Sequence, residues 1–246
     1  MNNKLKISII TVTKNSEKYL DETIKSLDNQ TYRNFEHIII DGKSSDKTIE
    51  IINKNSNKIS YWVSEQDNGL YDAMNKGIKK TTGDVIGILN SDDIFYPDAL
   101  SIVNKYFSNY EDIDFLFGSV QKYKLMHGYY PKKIKWTFGF YTTHSVGFFI
   151  RRQAHLNLGL YDTQYKYSAD YDLFYRMIVK KKLKGISTKK EEILGKFRQG
   201  GLSSQIKYLD FLKENNRIRI NNGQNKLFVY IIFFLRIIRN FKRLLK

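Results

Sequence analysis

The chain has 246 residues, no cysteine and a formal net charge of +16 at pH 7. The length fits one α/β domain with a short appendage, and the lack of cysteine excludes disulfide frameworks, thiolate metal sites and cysteine nucleophiles. The positive charge favours anionic partners, which include nucleic acid, an acidic lipid leaflet and phosphorylated substrates.

The N-terminal segment lacks the pattern of a signal peptide, because its first apolar run is only about one strand long and is followed directly by Lys14. No segment reaches the roughly 20 apolar residues that a membrane-spanning helix needs. We therefore expect a cytoplasmic protein that is either free or peripheral on the inner face of the cell membrane.

Apolar strand patterns alternate with helical patterns over the first part of the chain. The predicted strands are Leu5–Val12, Phe35–Ile40, Ile59–Val63 and Val85–Leu89. The first predicted helix is capped by Ser16 and has the apolar positions Tyr19, Leu20, Thr23, Ile24 and Leu27. Three further helices are predicted at Lys47–Asn53, Tyr71–Lys80 and Pro97–Phe107. Pro97 lies in the first turn of the last one, where proline is tolerated. Such alternation is typical of a mostly parallel sheet with helices on both faces.

Each predicted strand is followed by a cluster of polar residues. The clusters are Thr11–Asn15, Asp41–Asp46, Glu65–Asn68 and Asn90–Asp93. A single acidic residue after a strand is typical of a helix cap. Four clusters at four strand ends instead indicate one crevice, because open α/β sheets bind ligands at the carboxyl ends of their strands.

The fourth cluster, Asn90-Ser91-Asp92-Asp93, predicts a cation site. Carboxylate and amide oxygens suit hard cations such as Mg²⁺ or Mn²⁺. Such ions bind through one or two carboxylates together with the phosphates of a substrate.

Three motifs in this order resemble the inverting family-2 glycosyltransferases of the GT-A fold: ISIITVTKN, IIIDGKSSDKT and GDVIGILNSDD. The segment SEQDNGLYDAMNKGI is similar to the branch that builds extracellular and surface polysaccharides. The resemblance covers about Lys6 to Ser204. It implies a Rossmann-like, mostly parallel open sheet, a nucleoside-diphosphate sugar donor, and Mn²⁺ or Mg²⁺ as cofactor.

The resemblance also assigns roles to individual residues. It implies that Thr11 and Asp41 hold the base and ribose, with Asn15 and Ser44 beside them, and that Ser45 caps the next helix or assists. The candidates near the donor phosphates and sugar are Asp67, Tyr71, Asn75, Asn90, Ser91 and Arg198. Tyr71 and Asn75 lie four residues apart on one helical face, which would also suit a core face.

The sequence departs from the family pattern at two positions. Asn90 stands where the metal motif usually begins with Asp, so Asp92 is expected to be the main metal ligand and Asp93 to support it. Ala169-Asp170 stands where a Glu-Asp pair is common, and Asp170 matches the position of the catalytic base.

Asp170 is predicted in the first turn of a helix that continues through Met177, with Leu173 on its inner side. An inverting transfer needs a carboxylate within hydrogen-bond reach of the acceptor hydroxyl. The alternative is an ordinary helix-start carboxylate. Asp172 is expected to support the fold or to pair with Arg176.

His144 precedes an apolar strand and is a candidate ligand of the metal or of a phosphate, although a lone histidine is more often structural. The loop Lys196–Ser203 contains paired glycines, which permit movement. We expect Arg198 to meet the diphosphate when this loop closes.

We divide the chain into a catalytic domain, 1–222, and a C-terminal helix, 223–246. Lys226–Lys246 contains six Lys or Arg residues and no acidic residue. On a helical wheel, one arc carries Phe234, Ile237, Ile238, Phe241, Leu244 and Leu245, and the opposite arc carries Arg236, Arg239, Lys242, Arg243 and Lys246. This pattern is typical of a helix at a membrane surface; docking on the domain or in a homodimer interface is the alternative.

The leading hypothesis is transfer of a single sugar to a hydroxyl of a glycan acceptor, which the membrane-surface helix suggests is lipid-linked. The Gln-x-x-Arg-Trp motif and membrane spans of processive synthases are absent from the sequence. Asn90 motivates one alternative, a catalytically impaired relative that only binds glycans or sugar nucleotides. The charge motivates another, a nucleic-acid-binding protein, but none of the common motifs occurs, so we expect no nucleic acid partner.

Overall fold

A seven-stranded sheet runs through the centre of the protein in the computed structural model, which describes residues 4–136, 140–201 and 206–241. The strands are β1 Ile7–Thr13, β2 Phe35–Asp41, β3 Tyr61–Ser64, β4 Val85–Ile88, β5 Ile94–Phe95, β6 Phe115–Phe117, β7 Ser119–Gln121, β8 Leu125–Met126, β9 Phe148–Arg151, β10 Gly185–Ser187 and β11 Ile193–Lys196. The central sheet has the order β10-β6-β9-β4-β1-β2-β3. Among its described strands only β9 runs antiparallel to its neighbours, so the predicted mostly parallel sheet is confirmed.

A second sheet of four strands, in the order β5-β11-β7-β8, was not predicted. Its strands have two to four residues each, which is too short for hydrophobic periodicity to register. Its strand β5 directly follows the cluster Asn90–Asp93, and the partner strand β11 leads into the loop that contains Gly200 and Gly201.

The helices are α1 Leu20–Asp28, α2 Thr48–Lys54, α3 Leu70–Lys80, α4 Ala99–Asn109, α5 Arg152–Leu158, α6 Ala169–Tyr175, α7 Tyr208–Asn221 and α8 Lys226–Arg239, with a π-helical turn, Arg176–Lys180, after α6. They cover both faces of the sheet. In β2, Ile38 and Ile40 pack in the cluster that includes α3 and α6, whereas Ile39 packs against Leu20 and Ile52 of α1 and α2. This alternation is the period of two expected for a strand buried on both faces.

The predicted starts of three helices were wrong, in two cases at the cap and in one at the first residue. α1 begins at Leu20, and the Ser16 side chain bonds Ser91 instead of capping the helix. The amide of Thr48 at the start of α2 bonds Asp46, not Ser45. α4 begins at Ala99, so Pro97 lies before its first turn.

The C-terminal helix α8 packs on α7, and its buried residues are Val229 and Ile232. Arg236 lies opposite the predicted apolar arc, as the wheel indicated. This side of the helix faces the protein, because the Arg236 guanidinium donates to the Trp136 carbonyl. The remaining predicted positions of the two arcs lie outside the described residues: Lys242, Arg243, Leu244, Leu245 and Lys246. No helix within residues 4–136, 140–201 and 206–241 is long and apolar enough to cross a bilayer.

Glu36 ties the amino-terminal ends of β1 and β2 to the turn before β4. Its carboxylate accepts hydrogen bonds from the Ser8 hydroxyl at 2.6 Å and from the Thr82 amide at 2.6 Å, and pairs with Lys6 at 2.8 Å. Burial alone would raise the pKa of Glu36, but the bonds from Lys6, Ser8 and Thr82 outweigh it and lower the pKa to about 2.

We therefore predict that Glu36→Gln lowers the free energy of unfolding by about 2 kcal/mol at neutral pH. Because the folded-state pKa is depressed, this contribution is present above the ordinary value of 4.5 and is lost as the pH falls toward about 2. Urea unfolding across this range should show the variant and wild type converging in acid. Glu65→Gln, which removes only an exposed pair with Lys76, should change stability by less than about 1 kcal/mol.

Candidate functional site

Asp41 lies at the carboxyl end of β2 and is fully buried. Its carboxylate accepts from the Ser44 amide at 2.9 Å, from the Ser44 hydroxyl, and from the Ser64 hydroxyl of β3 at 2.7 Å. These bonds compensate the burial of the charge. A carboxylate with two oxygens can still accept a further donor, so Asp41 can receive a base N–H or a ribose hydroxyl.

The loops after β1 and β3 converge on Asp41. The Asn15 side-chain oxygen accepts from the Ser45 backbone amide at 2.9 Å, and the Asn15 backbone amide donates to the Ser44 hydroxyl at 2.8 Å. A Cβ atom on Gly42 would lie 2.2 Å from the Asp67 carboxylate, so Asp67 lies directly against this loop. The structure thus brings Asn15, Asp41, Ser44 and Asp67 together, as the sequence indicated.

Thr11 does not join this group. Its side chain is fully buried, and its hydroxyl lies 2.9 Å from the His37 ring nitrogen. Thr13, which was not singled out, pairs with Asp41 in the sheet. Its buried hydroxyl has no hydrogen-bond partner among the described residues. Strand alternation puts Thr11 and Thr13 on the same face, and only the nearness of Thr13 to the strand end distinguishes them.

The acidic turn Asn90–Asp93 is held by hydroxyl groups of α1 and of two loops. The Thr23 hydroxyl lies 3.0 Å from the Ser91 carbonyl and 2.8 Å from the Asp93 carbonyl. The Ser91 hydroxyl lies 2.8 Å from that of Ser16, and the Asn90 amide donates to Ser145 at 2.9 Å. These contacts fix the backbone of the turn.

The electrostatics of this turn favour a positive partner. Burial, and then the adjacent Asp92 carboxylate, raise the pKa of Asp93 to about 7, although Ser145 and Arg198 offset part of the effect. Burial also raises the pKa of Asp92. One Asp93 oxygen accepts from the Arg198 amide at 2.8 Å. The other Asp93 oxygen and the Asn90 side-chain oxygen are buried without a partner in the part of the chain that the structure describes.

These residues fit a divalent cation. Asp92, Asp93 and Asn90 supply hard oxygen donors, two of them buried and unpartnered, which suits an ion that completes its shell with water and substrate phosphates. Within the described ranges, no three His, Asp or Glu side chains come together as a complete protein cage. His144 therefore does not join Asp92 and Asp93 in such a group.

His144 lies instead on the side of Asp170. Its ring nitrogen is 2.6 Å from the Tyr161 hydroxyl, and its ring packs on Phe148 and Phe174. Burial lowers the pKa of His144, and Asp170 offsets this in part. His144 is therefore buried and held by a tyrosine hydroxyl, which is a structural role. A lone histidine more often has such a role than that of a metal ligand.

Asp170 is the second position of α6, and two tyrosines hold its carboxylate. The Tyr71 hydroxyl of α3 donates to one oxygen at 3.1 Å, and the Tyr141 hydroxyl donates to the other at 3.2 Å. Burial and the nearby Asp170 charge raise the pKa of both tyrosines well above its ordinary value, so both remain donors. Tyr141 was missed because nothing in its local sequence distinguishes it from core aromatic residues.

The two candidates on α3 have different roles. Tyr71 reaches Asp170, whereas the Asn75 amide bonds the backbone of Tyr161, with its Nδ2 donating to the carbonyl and its Oδ1 accepting from the amide, both at 2.9 Å. Because Asn75 is buried and both ends of its amide are occupied, it positions the chain and does not face the crevice.

Arg198 lies next to the acidic turn but points to α1. Its guanidinium bonds Glu22 at 2.8 Å and lies 4.1 Å from the centre of the Tyr19 ring. A Cβ on Gly201 would be 3.1 Å from the Asp92 carboxylate, so the loop passes directly over the turn. Leu202 and Ser203, the end of the predicted mobile loop, lie outside the described residues.

The family model described as Glycosyl transferase family 2 matches residues 8–177. An uncharacterized glycosyltransferase of Rickettsia typhi is 32% identical over 70% of this chain and 58% of its own length. A PGL/p-HBAD biosynthesis glycosyltransferase of Mycobacterium bovis is 29% identical over 84% and 82%. The chain spans 37% of a third relative, an uncharacterized glycosyltransferase of Mycobacterium tuberculosis, at 41% identity over 39% of this chain.

Two solved structures share the fold. S. aureus TarS in complex with UDP-GlcNAc has a TM-score of 0.69 at 18% identity, covering 93% of this chain and 70% of that one. The mannosyltransferase PcManGT from Pyrobaculum calidifontis, in complex with GDP-Man and Mn²⁺, has a TM-score of 0.66 at 14% identity, covering 94% and 68%. The predicted GT-A fold is thereby confirmed.

We predict that Asn75→Ala lowers the free energy of unfolding by about 2 to 3 kcal/mol, because it leaves the buried Tyr161 amide and carbonyl unpaired. Denaturant unfolding measures this loss. Asn53→Ala, an exposed position on the opposite face of the sheet, is the matched control and should change stability by less than about 0.5 kcal/mol. Equal stability of the two variants would show that Asn75 does not hold Tyr161.

Proposed function

Given that the chain belongs to glycosyl transferase family 2, we propose that it transfers a single sugar, with inversion, from a nucleoside-diphosphate sugar to a hydroxyl of a glycan acceptor in polysaccharide biosynthesis. The observation that carries this proposal is the Asp170 carboxylate, which two tyrosine hydroxyls hold in place. A carboxylate that is held in a fixed orientation suits the role of general base better than a carboxylate in an exposed ion pair.

The nucleoside end of the donor would bind at the carboxyl ends of β1 and β2. Asp41 retains acceptor capacity there, and Thr13 has a buried hydroxyl without a partner in the described residues. Related folds hold UDP-GlcNAc and GDP-Man, which supports a UDP- or GDP-sugar as donor.

The diphosphate would lie over the acidic turn, with Mg²⁺ or Mn²⁺ held by Asp92 and Asp93 and assisted by the Asn90 side-chain oxygen. When bound, the cation supplies Lewis-acid stabilisation of the charge that develops on the departing diphosphate. Arg198 already bonds Asp93 through its backbone amide. Its guanidinium would reach the diphosphate on leaving Glu22, an exposed partner that holds it weakly.

Asp170 would take the proton of the acceptor hydroxyl as the new bond forms on the sugar face opposite the diphosphate. Tyr71 and Tyr141 donate to both of its oxygens, so the carboxylate is oriented before the acceptor binds. Fixed orientation of a reacting group reduces the entropy that must be lost in the transition state.

The acceptor is proposed to be lipid-linked, with the protein peripheral on the inner face of the cell membrane through its C-terminal helix. The exposed apolar side chains of α8 support this. The convergence of Asp41, Asp67, Asp92 and Asp93 on one crevice disfavours an anionic nucleic acid polymer in that crevice.

We predict that Asp170→Asn lowers the rate constant of sugar transfer about 1000-fold, because the amide cannot accept the acceptor proton. Donor affinity should change less than about threefold. Single-turnover transfer and donor titration measure the two effects, with Asp162→Asn as a control in the loop before α6. Normal transfer by the Asp170 variant would show that another group is the base.

We also predict that sugar nucleotides with Mn²⁺ raise the thermal unfolding temperature of the wild type, since a bound donor stabilises the folded state by mass action. Asp92→Ala should abolish most of this shift, because it removes the more accessible carboxylate of the turn. Asp112→Ala, an exposed acidic residue at the end of another loop, should retain it. If no sugar nucleotide stabilises the wild type with Mn²⁺ or Mg²⁺, the proposed function is wrong.

A further inference from the structure

The C-terminal helix α8 presents a broad apolar face to solvent. Seven large side chains in the described part of this segment are each at least 49% exposed: Leu227, Tyr230, Ile231, Phe234, Leu235, Ile238 and Phe241. Their spacing of three and four residues places them on one side of the helix. Single exposed apolar residues are ordinary, but a continuous patch of this kind marks an interaction surface.

A second element lies beside this helix. The segment Pro131–Trp136, here called the basic segment, contacts α8 through the Trp136 ring, whose centre is 4.4 Å from that of Phe228. The Gln224 side chain donates to the Lys135 carbonyl at 3.1 Å, and Arg236 donates to the Trp136 carbonyl. The basic segment ends at Trp136 and α8 begins at Lys226, so the two form one surface only in the fold.

The basic segment is exposed, aromatic and positively charged. Lys132, Lys133 and Lys135 are all exposed, Trp136 is 56% exposed, and Ile134 between them is buried in the core as an anchor. No acidic residue occurs from Phe115 to Tyr161. Within α8, Lys226 and Arg239 are exposed and lie at the two borders of the apolar face on a helical wheel.

We propose that α8 and the basic segment together form one surface that binds an anionic lipid leaflet. Exposed leucine, isoleucine and phenylalanine side chains can enter the boundary between headgroups and acyl chains. Tryptophan suits the interface itself, and lysine side chains at the border reach anionic headgroups.

Charge decides between this partner and a second copy of the chain. Two copies joined face to face would bring the lysines of both basic segments and the borders of both helices together, and like charges at an interface oppose association. An anionic leaflet neutralises the same charges. A nucleic acid would neutralise them too, but it offers no apolar phase for seven bulky side chains.

The surface also adjoins the side of the site that carries Asp170. The Tyr171 hydroxyl donates to the Ile134 carbonyl of the basic segment at 2.7 Å, and Tyr171 directly follows Asp170. Tyr141, which bonds Asp170, lies five residues after Trp136 in the sequence. Resting on the proposed function, the surface would present the acceptor side of the site to the leaflet, where a lipid-linked hydroxyl is located.

The test is cosedimentation of the full chain with vesicles of phosphatidylcholine containing about one third phosphatidylglycerol, at low salt, without donor or metal. Each basic residue near an anionic surface contributes about a fivefold increase in partition. Replacing Lys132, Lys133 and Lys135 with Gln should therefore lower the partition coefficient about 100-fold. A control with Lys18, Lys47 and Lys54 replaced by Gln removes the same net charge near α1 and α2, on the other face of the sheet, and should bind like wild type.

A second variant tests the helix. Ile231→Gln, Leu235→Gln and Ile238→Gln together should reduce binding at high salt, where apolar burial dominates, and leave the thermal unfolding temperature unchanged because all three residues are exposed.

Equal loss in the two lysine variants would mean that net charge alone drives binding, and would overturn the proposed surface. Absence of wild-type binding, with a dimer in sedimentation equilibrium that the helix variant dissociates, would assign the face to a second copy. Donor stabilisation is measured without vesicles, so its failure is distinguishable from failure of the surface.

Discussion

Parallel pairing of β1 with β2 and β4 is the constraint on which the site depends. In this register Thr13 lies beside Asp41, and Asp41 lies beside Ser64 of β3. All four strands end at the same edge, so the loops that follow them must converge. No long-range contact between the loops is needed to bring the polar residues near one another, because the backbone hydrogen bonds of the sheet already do so.

The two buried carboxyl groups at this edge, those of Asp41 and Asp93, differ in the hydrogen bonds that they receive. Asp41 is compensated by hydroxyl and amide donors from Ser44 and Ser64, so its charge is stabilised within the protein itself. Asp93 has one oxygen bonded to the Arg198 amide and the other without a partner among the described residues. Burial of an uncompensated carboxylate is costly, and a group in this state holds a proton or takes a cation. Within the described residues the fold therefore supplies hydrogen-bond donors to both oxygens of Asp41 but to only one oxygen of Asp93.

The helix that carries Asp170 is anchored by a different kind of interaction. Asp172 pairs with Arg176 at 2.8 Å, as the sequence indicated, and the same guanidinium donates to the carbonyls of Leu158 and Leu160. Asn222 at the end of α7 donates to the other oxygen of Asp172 at 2.8 Å. A largely buried ion pair with these additional bonds holds α6 against α5 and α7. The orientation of Asp170 is therefore connected to the position of the C-terminal helices.

Local pattern determined the alternation of strands and helices, the mostly parallel sheet, the four polar strand ends and the Asp172–Arg176 pair, because each depends on residues close in sequence or on a period of two or 3.6. The tertiary structure decided which polar residues face the crevice. Thr11, Asn75 and His144 carry suitable groups, but His37, the Tyr161 backbone and the Tyr161 hydroxyl already occupy them. It also decided that Tyr141 reaches Asp170 and that the basic segment lies beside α8. These outcomes follow from contacts between residues tens of positions apart, and no local propensity encodes which of two equivalent polar side chains finds a partner inside the protein.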